Sequence, residues 1–111
     1  MSQHDDQVYL KHMLDHAREA VEMVAGKTQA DLAQHRMLEL ALIRLVEIIG
    51  EAATRIDNEL KASNPQVPWR EIIGMRNRLT HGYDTVDLKV LWDTIAEDLP
   101  PLITDLEKIL K

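Results

Sequence analysis

Apolar residues recur along this chain at helical spacing, and strand-like alternation is absent. From Asp6 to about Ala25, Leu10, Met13, Leu14, Ala17, Val21 and Val24 form one stripe that faces a core. Gly26 closes this predicted helix. Thr28, with Asp31 three residues later, is a capping-box-like start for a second helix, predicted to run unbroken to about Ala62 with Gly50 as its only glycine. On a wheel of about 100° per residue, Leu38, Ala41, Leu42, Leu45, Val46, Ile48, Ile49, Ala52, Ala53 and Ile56 cover an arc of about 160°. One neighbour needs less than that. The spine helix is therefore expected to bury itself against several partners, part of its surface being available either to internal packing or to a subunit interface. Its opposite face carries Arg36, Arg44, Glu47, Glu51 and Arg55, which can pair with one another along the helix in a solvated stripe.

Asn64-Pro65 and Pro68 mark the next connection, with Pro68 suited to a first helical turn. A third helix is predicted from about Trp69 to Thr80, terminated by Gly82, and Asp84-Thr85-Val86-Asp87 reads as a turn into the N-cap of a fourth. Leu88, Leu91, Trp92, Ile95 and Leu99 line the fourth helix. Pro100-Pro101 then interrupts its hydrogen-bond ladder before Leu102, Ile103, Leu106, Ile109 and Leu110 resume the pattern. The expected fold is all-α, a four-helix bundle with a kinked or split last helix.

Composition narrows this picture. A length of 111 residues with 45% hydrophobic content fits one domain spanning 1–111, and the absence of cysteine excludes disulfides and thiolate metal sites. The first residues lack the basic and apolar regions of a signal peptide, and no apolar run approaches the roughly 18 residues of a membrane span. A soluble, cytoplasmic protein is expected. The formal net charge of −6 argues against coating nucleic acid by bulk electrostatics. Between Lys61 and Tyr83, however, Lys61, Arg70, Arg76 and Arg78 face only Glu71, so any polyanion contact belongs there.

That segment also contains Arg76-Asn77-Arg78-Leu79-Thr80-His81-Gly82-Tyr83. Arginine offers a charged fork for phosphate oxygens, and histidine can move a proton near neutral pH. On the predicted helix Arg76 sits among Trp69, Ile72, Ile73, Leu79 and Thr80, where a guanidinium requires an acid, a backbone oxygen or a bound anion. Glu47 and Glu51 are candidate acids, and snorkelling along the stem is the other structural solution. His81, five residues on, would lie about 140° away from Arg76 on a straight helix, so convergence needs a loosened helix end or a second subunit. Its structural alternative is a protonated cap at a helix C-terminus, while Tyr83 could serve simply as an amphipathic residue at the bundle edge. An Arg–His pair at this spacing is expected by chance about 0.3 times, but adding a tyrosine two residues later reduces that to about 0.006.

The pattern Arg76-Asn77-x-x-x-His81-x-Tyr83, after a long apolar second helix and before a helix with Trp92 and Asp98-Leu99-Pro100, resembles the HEPN superfamily and its small HepT-like members over essentially the whole chain. The resemblance implies an all-helical homodimer whose paired motifs line one cleft. It also implies a metal-independent endoribonuclease toxin and a cognate minimal nucleotidyltransferase antitoxin that adenylylates the tyrosine at position 83. RNA carries its own 2′-hydroxyl nucleophile. His81 would then act as acid or base, Arg76 would hold and neutralise the phosphate, and Asn77 would orient a partner group. Because one histidine cannot easily make both proton transfers, a dimer would supply the second, leaving a 2′,3′-cyclic phosphate and a 5′-hydroxyl.

An alternative is a non-catalytic helical adaptor that docks a nucleotidyltransferase. A metal-bearing bundle is disfavoured, since His12 and His16 lie beside the first apolar stripe and no Glu-x-x-His or His-Glu-x-x-His occurs. With four glycines and no phosphate-cradling loop, the chain is expected neither to bind ATP nor to need a cofactor.

Overall fold

The computed structural model describes residues 3–81 and 85–111. The protein is mostly helical. Helix α1 (Gln3–Met23) buries Leu10, Met13, Leu14, Ala17 and Ala20, with Val24 just beyond its end. Gly26 follows at φ +74°, the left-handed conformation a helix stop favours and a side chain resists.

The second predicted helix is three helices: α2 (Gln29–Gln34), α3 (Arg36–Thr54) and α4 (Asn58–Ser63). The Thr28 amide donates to Asp31 Oδ2 at 2.7 Å, and this bond holds the Asp31 carboxyl below its ordinary range. The first break is at His35, whose backbone (φ −131°, ψ 87°) is not helical. This break lets α2 leave the α3 axis and cover the later helix Leu88–Asp93, with Leu32 buried. At the second, Asp57 turns out of the helix and its side chain accepts from the Glu59 amide, starting α4. Buried Asp6 of α1 accepts the Asp57 amide at 3.0 Å, so the first helix ties down the corner. An apolar stripe predicts where a helix can be buried; local capping decided where this one stops.

The third predicted helix is likewise divided, into α5 (Trp69–Ile73) and α6 (Met75–Leu79) joined at Gly74. Trp69 Nε1 donates to the Asn64 carbonyl, fixing the entry of α5. Ile72, Met75 and Leu79 are buried, whereas Ile73 is exposed. The inward face thus runs through Met75 and leaves Arg76 on its flank, correcting the expectation of a guanidinium set inside the stripe. Thr80 is extended (φ −103°, ψ 138°), and Thr80–His81 (β1) pairs antiparallel with Thr85–Val86 (β2), Thr80 opposite Val86 and His81 opposite Thr85. The helix therefore ends at Leu79. The expected terminator, Gly82, lies outside the described residues.

Asp87 caps α7 (Leu88–Asp93) as expected, accepting from the Val90 amide at 3.1 Å. Thr94–Asp98 is a π-helical turn leading into α8 (Leu99–Ile109), with prolines in its first turn. Proline at 100 has no N–H for the usual bond four residues back, and the preceding Leu99 amide reaches the Thr94 carbonyl, five back. The expected interruption is a re-registered turn within one helical run.

In the core, α1 packs along α3 and α8, while α5 and α6 pack on α3. The last contact has an antiparallel register in which Gly50 faces Ile73 and Glu47 faces Arg76. A Cβ at Gly50 would lie 3.2 Å from the Ile72 carbonyl oxygen and 3.3 Å from that of Ile73. Backbone meets backbone there because no side chain intervenes.

Two outcomes follow from this packing. Gly50→Ala should destabilise the protein by about 1–2 kcal/mol in denaturant titration, the strain of separating α3 from α5 exceeding the helix-propensity gain of about 1 kcal/mol. Asp31→Ala should lower Tm at neutral pH. Because Asp31 is depressed from 3.8 in the folded state, its contribution is full above that value and is lost as pH falls through the lowered folded pKa, so melts of the two proteins should converge in strong acid.

Candidate active site

Arg76, Asn77 and the backbone of His81 belong to one short turn of chain. The five-residue helix α6 is anchored by buried Met75 and Leu79 and presents Arg76, Asn77 and Arg78 to solvent. Two residues past its end the backbone reaches His81 on β1. The Leu79 carbonyl accepts the Asp87 amide at 2.7 Å, continuing the pairing that draws the two strands together. Arg76 and His81 are separated by three helical steps and two extended ones, which puts their Cα atoms at most roughly 12 Å apart. The 140° offset of a straight helix does not apply, nor does a helix-capping role for His81, since the chain has left the helix before it. The His81 imidazole lies outside the described residues, as does Tyr83, the expected adenylylation position.

Arg76 has a defined partner. Its Nε donates to Glu47 Oε2 of α3 at 2.6 Å, with about half of the arginine side chain exposed (51%) and less of the glutamate (30%). This ion pair is one of the structural solutions the sequence allows for Arg76, and it selects Glu47 over Glu51, which lies 3.6 Å from Arg55. Glu47 accordingly leaves the self-paired stripe expected on α3, while Arg36 pairs with Glu39 at 3.0 Å. Among the described residues only Glu47 hydrogen-bonds the Arg76 guanidinium, which leaves its Nη1–Nη2 edge without a partner among them. Asn77 is exposed and also has no hydrogen-bond partner among the described residues. Arg78 points differently, donating from Nη2 to the Glu71 carbonyl at 3.3 Å.

The local basic excess is therefore unevenly available, with Arg76 carrying an acid on one edge and Arg78 held against backbone. A separate groove of about 390 Å³ lies between α5–α6 and α8, with Ile72, Met75, Leu99 and Leu102 among its apolar lining and Arg78 at its edge. Arg76 does not line it. Elsewhere, the His16 ring Nδ1 lies 2.6 Å from the His12 carbonyl, a local helical contact. Among the described residues no three His, Cys, Asp or Glu side chains converge as metal ligands, and no helix is long and apolar enough to cross a membrane.

Glu47 was legible only as one of two candidate acids. Gly50, whose close contact brings the partner helix within reach, was available as a signal in the form of a glycine inside an apolar helical stripe, where such a residue often marks close backbone approach.

The amino-acid sequence as a whole has known relatives. A protein of Thermococcus cleftensis named probable ribonuclease HepT is 40% identical over 105 residues, covering 91% of this chain and 96% of its own. Two relatives whose names provisionally assign them as RNases come from Caldanaerobacter subterraneus (36% identical, covering 93% of this chain and 92% of that protein) and Methanocaldococcus jannaschii (35%, covering 96% and 98%). No solved structure matches the chain. The family model described as Ribonuclease HepT-like matches residues 13–109, and with that span and relatives at this identity the chain belongs to the HepT-like ribonuclease family.

Proposed function

We propose that this ribonuclease is a metal-independent endoribonuclease that cuts RNA by attack of the 2′-hydroxyl, and that it acts as a toxin neutralised by a cognate nucleotidyltransferase. The observation that carries the reading is the Arg76 guanidinium, held on one edge and open on the other, on the turn that leads directly to His81. An open Nη1–Nη2 edge has two parallel N–H donors, the spacing that matches two oxygens of a phosphodiester. It supplies charge where the phosphorane develops it. His81 transfers the protons, and Asn77, exposed one residue after Arg76 on the same helix, orients the reacting groups.

The working unit in this reading is a homodimer of four-helix-bundle protomers, in which the second His81 serves the other proton transfer. Exposed Met37 (86%) and Leu40 on α3, and Ile73 on α5, leave apolar surface for a further contact. The antitoxin adenylylates Tyr83, setting a bulky anion beside Arg76 and His81 where RNA phosphate would enter.

Arg76→Ala and His81→Ala should each lower the rate of RNA cleavage by at least about 100-fold while leaving far-UV circular dichroism unchanged. Wild-type activity should persist in chelator and leave 2′,3′-cyclic phosphate and 5′-hydroxyl ends. A 3′-hydroxyl product would refute the mechanism, and variants that cleave like wild type would leave the adaptor reading in its place. Tyr83→Phe should escape neutralisation by the nucleotidyltransferase in a co-expression growth assay, with full neutralisation of the variant counting against modification at that position.

A further inference from the structure

We propose that Glu47 is a positioning residue for Arg76, and that the close contact at Gly50 sets its reach. The inference rests on the reading of Arg76 as the phosphate-binding group and adds the part that aims it.

The two helices bring four residues into register. One turn before Gly50 on α3 is Glu47, and one turn after Ile73 on the facing chain is Arg76. Gly50 lets the α5 carbonyls approach to within about 3.2–3.3 Å of where a Cβ would stand. The neighbouring pair consequently closes to a direct Nε–Oε2 bond of 2.6 Å. A guanidinium on a flexible four-torsion stem has many rotamers, and a free arginine at an exposed site samples them. Fixing Nε removes most of that freedom. It also decides which edge remains: with Oε2 on Nε, the unoccupied Nη1–Nη2 edge faces away from Glu47.

Stability does not account for the pair. Both side chains are partly exposed, a setting in which ion pairs contribute little. Glu47 is thus placed to orient a cation without surrendering the edge that a phosphate needs. A competing role is distinguishable by sign. If Glu47 occupied the edge that RNA uses, its removal would tighten binding.

The test compares wild type, Glu47→Ala, Glu47→Gln, Arg76→Lys and Glu47→Ala/Arg76→Lys. Two readouts are used, steady-state cleavage of an RNA oligonucleotide and affinity for a 2′-O-methyl oligonucleotide of the same sequence that cannot be cut. Glu47→Ala is expected to lower kcat about 10- to 100-fold with KM changed less than about threefold, and to weaken 2′-O-methyl RNA binding about threefold. Its Tm should stay within about 2 °C of wild type. Glu47→Gln, which keeps an acceptor oxygen, should recover part of the loss. In the Arg76→Lys background, where there is no Nε fork to aim, removing Glu47 should change kcat less than about twofold.

Equal losses in both backgrounds, tighter RNA binding by Glu47→Ala, or wild-type behaviour of that variant in both readouts would overturn the proposal. Failure of wild type to cleave RNA would overturn the nuclease reading instead, leaving the affinity series to judge Glu47. Failure of wild type to bind the 2′-O-methyl strand would overturn both.

Discussion

The contact between Gly50 and the carbonyls of Ile72 and Ile73 is the constraint on which the rest of the site geometry depends. Helices normally meet through side chains, at a spacing set by their volumes. Here one helix presents bare backbone, and the facing segment settles against it. That proximity seats α5 on the apolar stripe of α3, buries Ile72 and carries α6 to the edge of the core. Arg76 then falls beside Glu47 rather than in open solvent. Were α5 displaced, the ion pair and the entry into β1 would shift with it, because Met75 and Leu79 connect the two within a few residues.

The division of α5 and α6 serves the same end. A single straight helix from Trp69 to Thr80 would have spread Arg76 and His81 onto different faces. Gly74 resets the helix, and the extended backbone at Thr80 removes His81 from the helical wheel altogether. The Asp87 amide reaching back to the Leu79 carbonyl secures the end of this turn, while the Asp87 side chain caps the next helix. One residue thus joins the motif segment to the C-terminal helical run. The candidate site is thus a short corner held from both sides.

Much of the fold was legible because apolar periodicity reports burial directly. The stripes on α1, α3 and α8 emerge as the core, and the Thr28–Asp31 and Asp87 caps lie where polar spacing puts them. The breaks were not legible in the same way. Nothing apolar changes at His35 or Asp57; the chain turns because α2 has a neighbour in α7 and because Asp57 is held by Asp6, fifty-one residues away in sequence. Arg76 departs from its expected place for a related reason. Met75 is buried, which turns the inward face away from the arginine and lets it meet Glu47. Long-range partners chose among options that local sequence left equal.

The π-helical turn at Thr94–Asp98 carries an implication for how this chain tolerates change. Such a turn is equivalent to one additional residue accommodated within a continuous helix, so everything downstream is rotated by about 100° relative to an uninterrupted α-helix. Leu102 and Leu106 face the core only in that phase. Relaxation to the ordinary register is opposed by the two prolines at its exit, which have no amide to complete it. The C-terminal helix is thereby locked in rotational phase: loss of one residue within the turn would leave ordinary α-helix with the leucines still on the core side, whereas loss of one residue after the prolines would swing them about 100° toward solvent.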